Sequence, residues 1–108
     1  MIDPQTVRSP LKRWELIDVL TQRGGKQNNY WSIALGRWKD ESGFNAACLA
    51  VRWNGAYSHK SKGSPTSRGY PTWFILPDEI NESIFHLSPE EKHDFVNTVL
   101  SEGRNEPE

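Results

Sequence analysis

Residues 30–38, Tyr30-Trp31-Ser32-Ile33-Ala34-Leu35-Gly36-Arg37-Trp38, alternate large and small side chains with period two. Residues 47–53, Ala47-Cys48-Leu49-Ala50-Val51-Arg52-Trp53, do so again. Period two marks a strand, because successive side chains of a strand point to opposite faces of the sheet. Between the two runs, Lys39-Asp40-Glu41-Ser42-Gly43 is polar and turn-like, so together they make an antiparallel hairpin. One face of the hairpin carries Trp31, Ile33, Leu35, Leu49, Val51 and Trp53. The other carries Ser32, Ala34, Gly36, Ala46, Cys48 and Ala50. A face of such small residues admits a close neighbour. The expectation is that the C-terminal helix fills it, which leaves the bulky face to the N-terminal segment, the long loop or a second subunit.

Upstream of the hairpin two readings compete. Ser9-Pro10 has the form of an N-cap followed by proline at the first helical position, which would start a helix running through Leu20. On a helical wheel, however, Leu11, Trp14, Leu16, Ile17, Val19 and Leu20 scatter all the way round. As a strand, Trp14, Leu16 and Leu20 share one side, with Ile17, Val19 and Thr21 on the other. The β-branched residues favour the strand, and that reading is adopted. Arg23-Gly24-Gly25-Lys26 is then a turn.

Downstream, residues 72–76 read as a fourth strand bracketed by Pro71 and Pro77. Asp78 and Glu79 sit where acids favour a helix start, and Ile80, Ile84 and Leu87 follow at helical spacing. Ser88-Pro89-Glu90-Glu91 has the pattern of a capping box, followed by an apolar stripe of Phe95, Val96, Val99 and Leu100 that ends at Gly103. The fold class is therefore α+β: a four-stranded antiparallel meander followed by two C-terminal helices. Residues 1–13 read as a flexible N-terminal segment, 14–102 as a single domain with a long loop over 54–70, and 103–108 as a disordered tail.

Composition narrows the function. The chain has 108 residues, 13 Lys+Arg against 14 Asp+Glu, and a net charge of -1, which excludes a uniformly basic polyanion binder. That total conceals an asymmetry. Residues 1–75 hold 11 basic and 5 acidic groups, whereas residues 76–108 hold 2 and 9. No apolar run is long enough to span a membrane. One cysteine and no signal-peptide pattern are the marks of a cytoplasmic protein.

Between the third and fourth strands the chain is basic and aromatic. From Ser42 to Pro77 there are Arg52, Lys60, Lys62 and Arg68 and no acid, with Trp53, Tyr57, His59, Tyr70 and Trp73 in or beside the stretch. Cationic groups attract phosphate or carboxylate, and aromatic faces stack on flat rings. These nine residues are the candidate ligand-binding surface of a small non-enzymatic binding or interaction module, possible partners being an anionic ligand, an acidic protein surface or single-stranded nucleic acid. A homodimer would also suit the bulky face. The alternative is a small metal-independent ribonuclease using His59 as general acid or base, Lys60 and Arg68 on the phosphate, and Tyr70 for stacking or proton transfer. The three histidines have no metal-ligand spacing, residues 63–69 lack a P-loop ending, and no cofactor is implied.

Residues 30–38 (YWSIALGRW), 52–55 (RWNG) and 69–77 (GYPTWFILP) resemble a pattern in short, uncharacterised bacterial proteins carried on mobile gene cassettes such as those of integrons. The three blocks cover 22 of the 108 residues. The resemblance implies a bacterial, cytoplasmic accessory protein, and it carries over no activity and no site residue.

Overall fold

A computed structural model describes residues 1–24, 29–42, 45–56 and 62–102 of the chain. The strands are β1 (Trp14–Arg23), β2 (Asn29–Lys39), β3 (Asn45–Ala56), β4 (Thr66–Ser67), β5 (Tyr70–Pro71) and β6 (Phe74–Ile75). Two helices follow, α1 (Asn81–Phe85) and α2 (His93–Glu102). The main sheet is antiparallel in the order β1-β2-β3-β6, and β4 and β5 form a separate two-stranded ribbon. The α+β class and the four-strand order follow the sequence expectation.

The β2–β3 register pairs Trp31 with Trp53, Ile33 with Val51 and Leu35 with Leu49, so the bulky face is the one read from the alternation. What covers each face is the reverse of the expectation. Val96, Val99 and Leu100 of α2 pack with Ile33, Leu35 and Leu49 on the bulky face, joined by Ile84, Phe85 and Leu87. The small-residue face, with Ala34, Cys48 and Ala50, is covered by Val7, Trp14, Leu16 and Trp73. The physical reason is ring size. A flat indole needs a shallow bed, and Gly36 provides it: a Cβ there would lie 2.3 Å from Cη2 of Trp14. Residues 1–13 thereby join the domain, with Pro4 and Val7 buried.

The ambiguity of residues 10–22 also has a physical source. β1 is a strand, but it carries two β-bulges against β2, one between Leu16 and Asp18 and one between Val19 and Thr21. Each inserted residue reverses the alternation. Trp14, Leu16 and Val19 therefore face the small-residue side, while Ile17 and Leu20 reach the helix side. This corrects the grouping of Leu20 with Trp14 and Leu16.

Three further local readings are revised. Asn54-Gly55 is no hairpin turn, because β3 runs on to Ala56; Asn54 is an extra residue between the Tyr30–Gly55 and Trp31–Trp53 pairs, and Gly55 has φ 99. Only Phe74 and Ile75 of the expected fourth strand pair with β3. Ser88 donates its hydroxyl hydrogen bond back to the Phe85 carbonyl and does not cap, so a 3₁₀ turn over Glu90–Lys92 precedes α2. Phe95, placed on the buried stripe, is 47% exposed. The expected tail over 103–108 lies outside the described residues.

Gly36→Ala tests the account of the small-residue face. Forcing Trp14 off its bed costs about 1–3 kcal/mol, read as a lower urea midpoint with unchanged slope. An unchanged midpoint would mean that Trp14 does not depend on the glycine.

Candidate functional site

The helices leave one end of the bulky face open. There Trp31 of β2, Val51 and Trp53 of β3, Phe74 of β6, Ile84 of α1 and the Ser64-Pro65 segment line a groove of about 450 Å³, bordered by Arg52. Trp53 is 51% exposed and Phe74 57%. Large apolar side chains so exposed, side by side in one concave surface, are the usual mark of a binding groove.

Sheet register places the groove. Arg23 pairs with Trp31, Trp31 with Trp53, and Trp53 forms an antiparallel bridge with Ser64. Paired residues share a face, so an arginine, two tryptophans and the Ser64 segment stand in one row across the sheet. Phe74 is opposite Val51, one step along that face from Trp53. Arg23 also donates through Nη2 to the Leu87 carbonyl at 3.1 Å, which ties its side chain to the helix side.

The outer wall depends on Arg52. The residue is 2% exposed. Nε donates to the Trp53 carbonyl and to Asn54 Oδ1, both at 3.2 Å. Nη1 donates to the Thr72 carbonyl at 2.6 Å, and Nη2 to the Lys62 carbonyl. Asn54 in turn donates through Nδ2 to Ser32 Oγ at 2.6 Å. Among the described residues no carboxylate pairs with Arg52, and burial lowers its pKa. A planar fork of fixed donors suits this task, because it reaches carbonyls of three chain segments at once. Gly63 completes the fit: its φ is +68, and a Cβ there would lie 1.9 Å from the Trp53 carbonyl.

The nine residues expected to form a surface are thus divided. Arg52 and Trp73 are buried, and Trp73 donates its indole N–H to the Val7 carbonyl at 2.7 Å. Neither can serve as an exposed ligand contact, which corrects that part of the expectation. Trp53, Lys62, Arg68 and Tyr70 are exposed. Lys62 Nζ donates to the Gly69 carbonyl at 2.8 Å, at the tip of the β4–β5 ribbon. Arg68 and Gly69 both have positive φ, 52 and 82, as a two-residue hairpin turn requires. Tyr57, His59 and Lys60 lie outside the described residues. The ribonuclease constellation therefore has only Arg68 and Tyr70 in described positions, both on the exposed ribbon.

The sequence reading missed Arg23, Trp31, Phe74 and Ile84 as site residues. Trp31 was legible on the bulky face beside Trp53. Arg23 was not, because the two bulges shift its pairing along β2 and bring it opposite Trp31.

Among the described residues, no acidic side chain of 76–102 lines the groove. Glu102 and Glu15 pair with Arg37 near the other end of β2, and Lys92 pairs with Asp18. Asp78, Glu79 and Glu82 line a separate cavity of about 530 Å³ with Asn81, His86 and Ser101. Among the described residues no cluster of His, Cys, Asp and Glu could hold a metal ion, and no helix is long and apolar enough to cross a membrane. Cys48 is an inert thiol. Burial pushes its pKa up to about 12, helped by the negative charge of Asp78 and opposed by a backbone hydrogen bond from Trp38. Comparisons with protein-family models, with curated proteins and with solved structures each return no match for this chain.

Two outcomes follow. Arg52→Met removes the donor from Asn54 Oδ1 and from the part-buried Lys62 and Thr72 carbonyls and costs about 3 kcal/mol, at roughly 1 per acceptor; Arg52→Lys does not restore it, since one ammonium cannot serve all three segments. A loss under 1 kcal/mol, roughly one unpaired acceptor, would contradict the clamp. For Cys48, the unfolded chain loses its thiol proton near pH 9.0 and the folded one near 12, so the stability falls as pH rises between those values. Chemical denaturation of wild type against Cys48→Ala across that range checks it. Equal pH dependence in both would contradict it.

Proposed function

We propose that the protein is a small non-enzymatic binding module that recognises a ligand carrying a flat or apolar group next to a negative charge. The observation that carries the reading is the half-exposed pair Trp53 and Phe74 in an open groove. Burying such rings is worth more than leaving them in water. A ligand ring lying against them gains stacking as well as area. The groove is lined mostly by apolar side chains, which suits a ring more than a fully polar ligand.

The charge has a source on both sides. Arg23 stands at one end of the row of paired residues, and Lys62 and Arg68 belong to the segment at the other. Among the described residues none of the three is in an ion pair. An anionic group can therefore approach without first displacing a carboxylate.

Phenyl phosphate, a flat ring bearing a dianion, is the simplest probe. Titrated at low salt, it shifts the indole N–H resonances of Trp31 and Trp53 in NMR spectra, while those of the buried Trp14 and Trp73 stay in place. Trp53→Ala and Phe74→Ala each abolish the response and leave the fold intact. Shifts confined to residues outside the groove, or none at all, would overturn the reading.

A further inference from the structure

We infer, on the basis of the binding reading above, that the ligand is a single-stranded nucleic acid laid across the strands. Its bases stack on Trp31, Trp53 and Phe74, and its phosphates meet Arg23 on one side and Lys62 and Arg68 on the other. The row Arg23–Trp31–Trp53–Ser64 comprises three inter-strand steps. At roughly 4.8 Å per step it is about 14 Å long. Aromatic faces occupy its middle, and cationic residues belong to both of its ends. A ligand with one ring and one charge would use half of this. A polymer that repeats a flat ring and an anion uses all of it.

The ribbon beyond the row extends the same chemistry. Tyr70 is 67% exposed on β5, next to Arg68-Gly69 at the tip. Arg68 occupies a left-handed position, φ 52, where asparagine or glycine is the ordinary choice. An arginine at that place is a worse turn residue than its alternatives, and it is exposed at the tip of the ribbon that follows the groove's Ser64-Pro65 wall. Backbone strain of this kind gathers where function needs the side chain.

The arrangement separates three anionic partners. An acidic peptide offers repeated charge but does not couple a flat ring to each charge, as three aromatic faces between two cationic ends would use. A duplex hides its bases in the stack, so a sheet surface meets only phosphate. A single strand exposes both. Neither the row nor the ribbon reads the sugar, so DNA and RNA are expected to bind alike.

The test uses the full chain, following tryptophan fluorescence during titration with oligothymidylate, oligouridylate, a duplex of matching length, polyglutamate and uridine monophosphate. Both oligonucleotides are expected to quench the fluorescence and to bind at least ten-fold more tightly than the duplex, polyglutamate or the mononucleotide. Trp53→Ala weakens binding about ten-fold or more. Arg23→Gln and Arg68→Asn each lower the slope of log affinity against log salt by about 0.7. Arg68→Asn does so while raising the melting temperature, which separates lost binding from lost fold. Polyglutamate binding as tightly as the oligonucleotides would overturn the inference in favour of an acidic protein partner. Oligonucleotides no tighter than the mononucleotide would overturn the inference and leave the binding reading standing. No response to any of them, with no response to phenyl phosphate, would overturn both.

Discussion

The buried guanidinium of Arg52 is the constraint on which the rest of the site depends. β3 alone would present Trp53 on a sheet edge. By donating to the carbonyls of Trp53, Lys62 and Thr72, Arg52 draws two separated parts of the following chain against that edge. Ser64 then bridges Trp53, and Phe74 reaches its place opposite Val51. A buried cation with no carboxylate beside it is expensive, and among the described residues carbonyl dipoles and Asn54 offset it. The geometry suggests why the position is not apolar: a hydrocarbon side chain could fill the space but could not collect three backbone acceptors.

The two faces of the hairpin divide the remaining work. Large aliphatic residues over Ile33, Leu35 and Leu49 take the amphipathic helix, whose Val96, Val99 and Leu100 supply a matching stripe. Small residues at Ala34, Gly36, Cys48 and Ala50 take flat indoles, with Trp14 and Trp73 centroids 6.5 Å apart at 39°. The helices are too short to cover the bulky face from end to end, since α1 has five residues and α2 ten. The uncovered remainder is the groove. Function on this account follows from incomplete coverage of a sheet by its own helices, at an end where the aromatic residues are largest.

Much of this was legible before any coordinates. Strict alternation in residues 30–38 and 47–53 determined the hairpin and its two unlike faces. The rest was hidden for identifiable reasons. The bulges after Leu16 and Val19 break the alternation of β1 in a way that no single-strand pattern reveals, and they shift Arg23 along β2 until it stands opposite Trp31. The identity of the layer on each face depends on how rings and helices fit, which spacing alone does not encode. Arg52 looked like a surface charge because arginine is ordinarily exposed. Its partners are backbone carbonyls contributed by residues ten and twenty positions away, and a carbonyl has no signature in sequence.

Among the described residues no ion pair joins the basic body to the acidic helical end at the groove. The acidic side chains of the C-terminal part that form ion pairs do so at Arg37, away from Trp31 and Trp53. The account's central claim is that this open end of the sheet is where the ligand lies. Photo-crosslinking with an oligonucleotide carrying 5-iodouracil, followed by peptide mass spectrometry, tests it most directly. Adducts on Trp31, Trp53 or Phe74 are the predicted result; adducts confined to residues 78–101, or to none of the three aromatics, would contradict it.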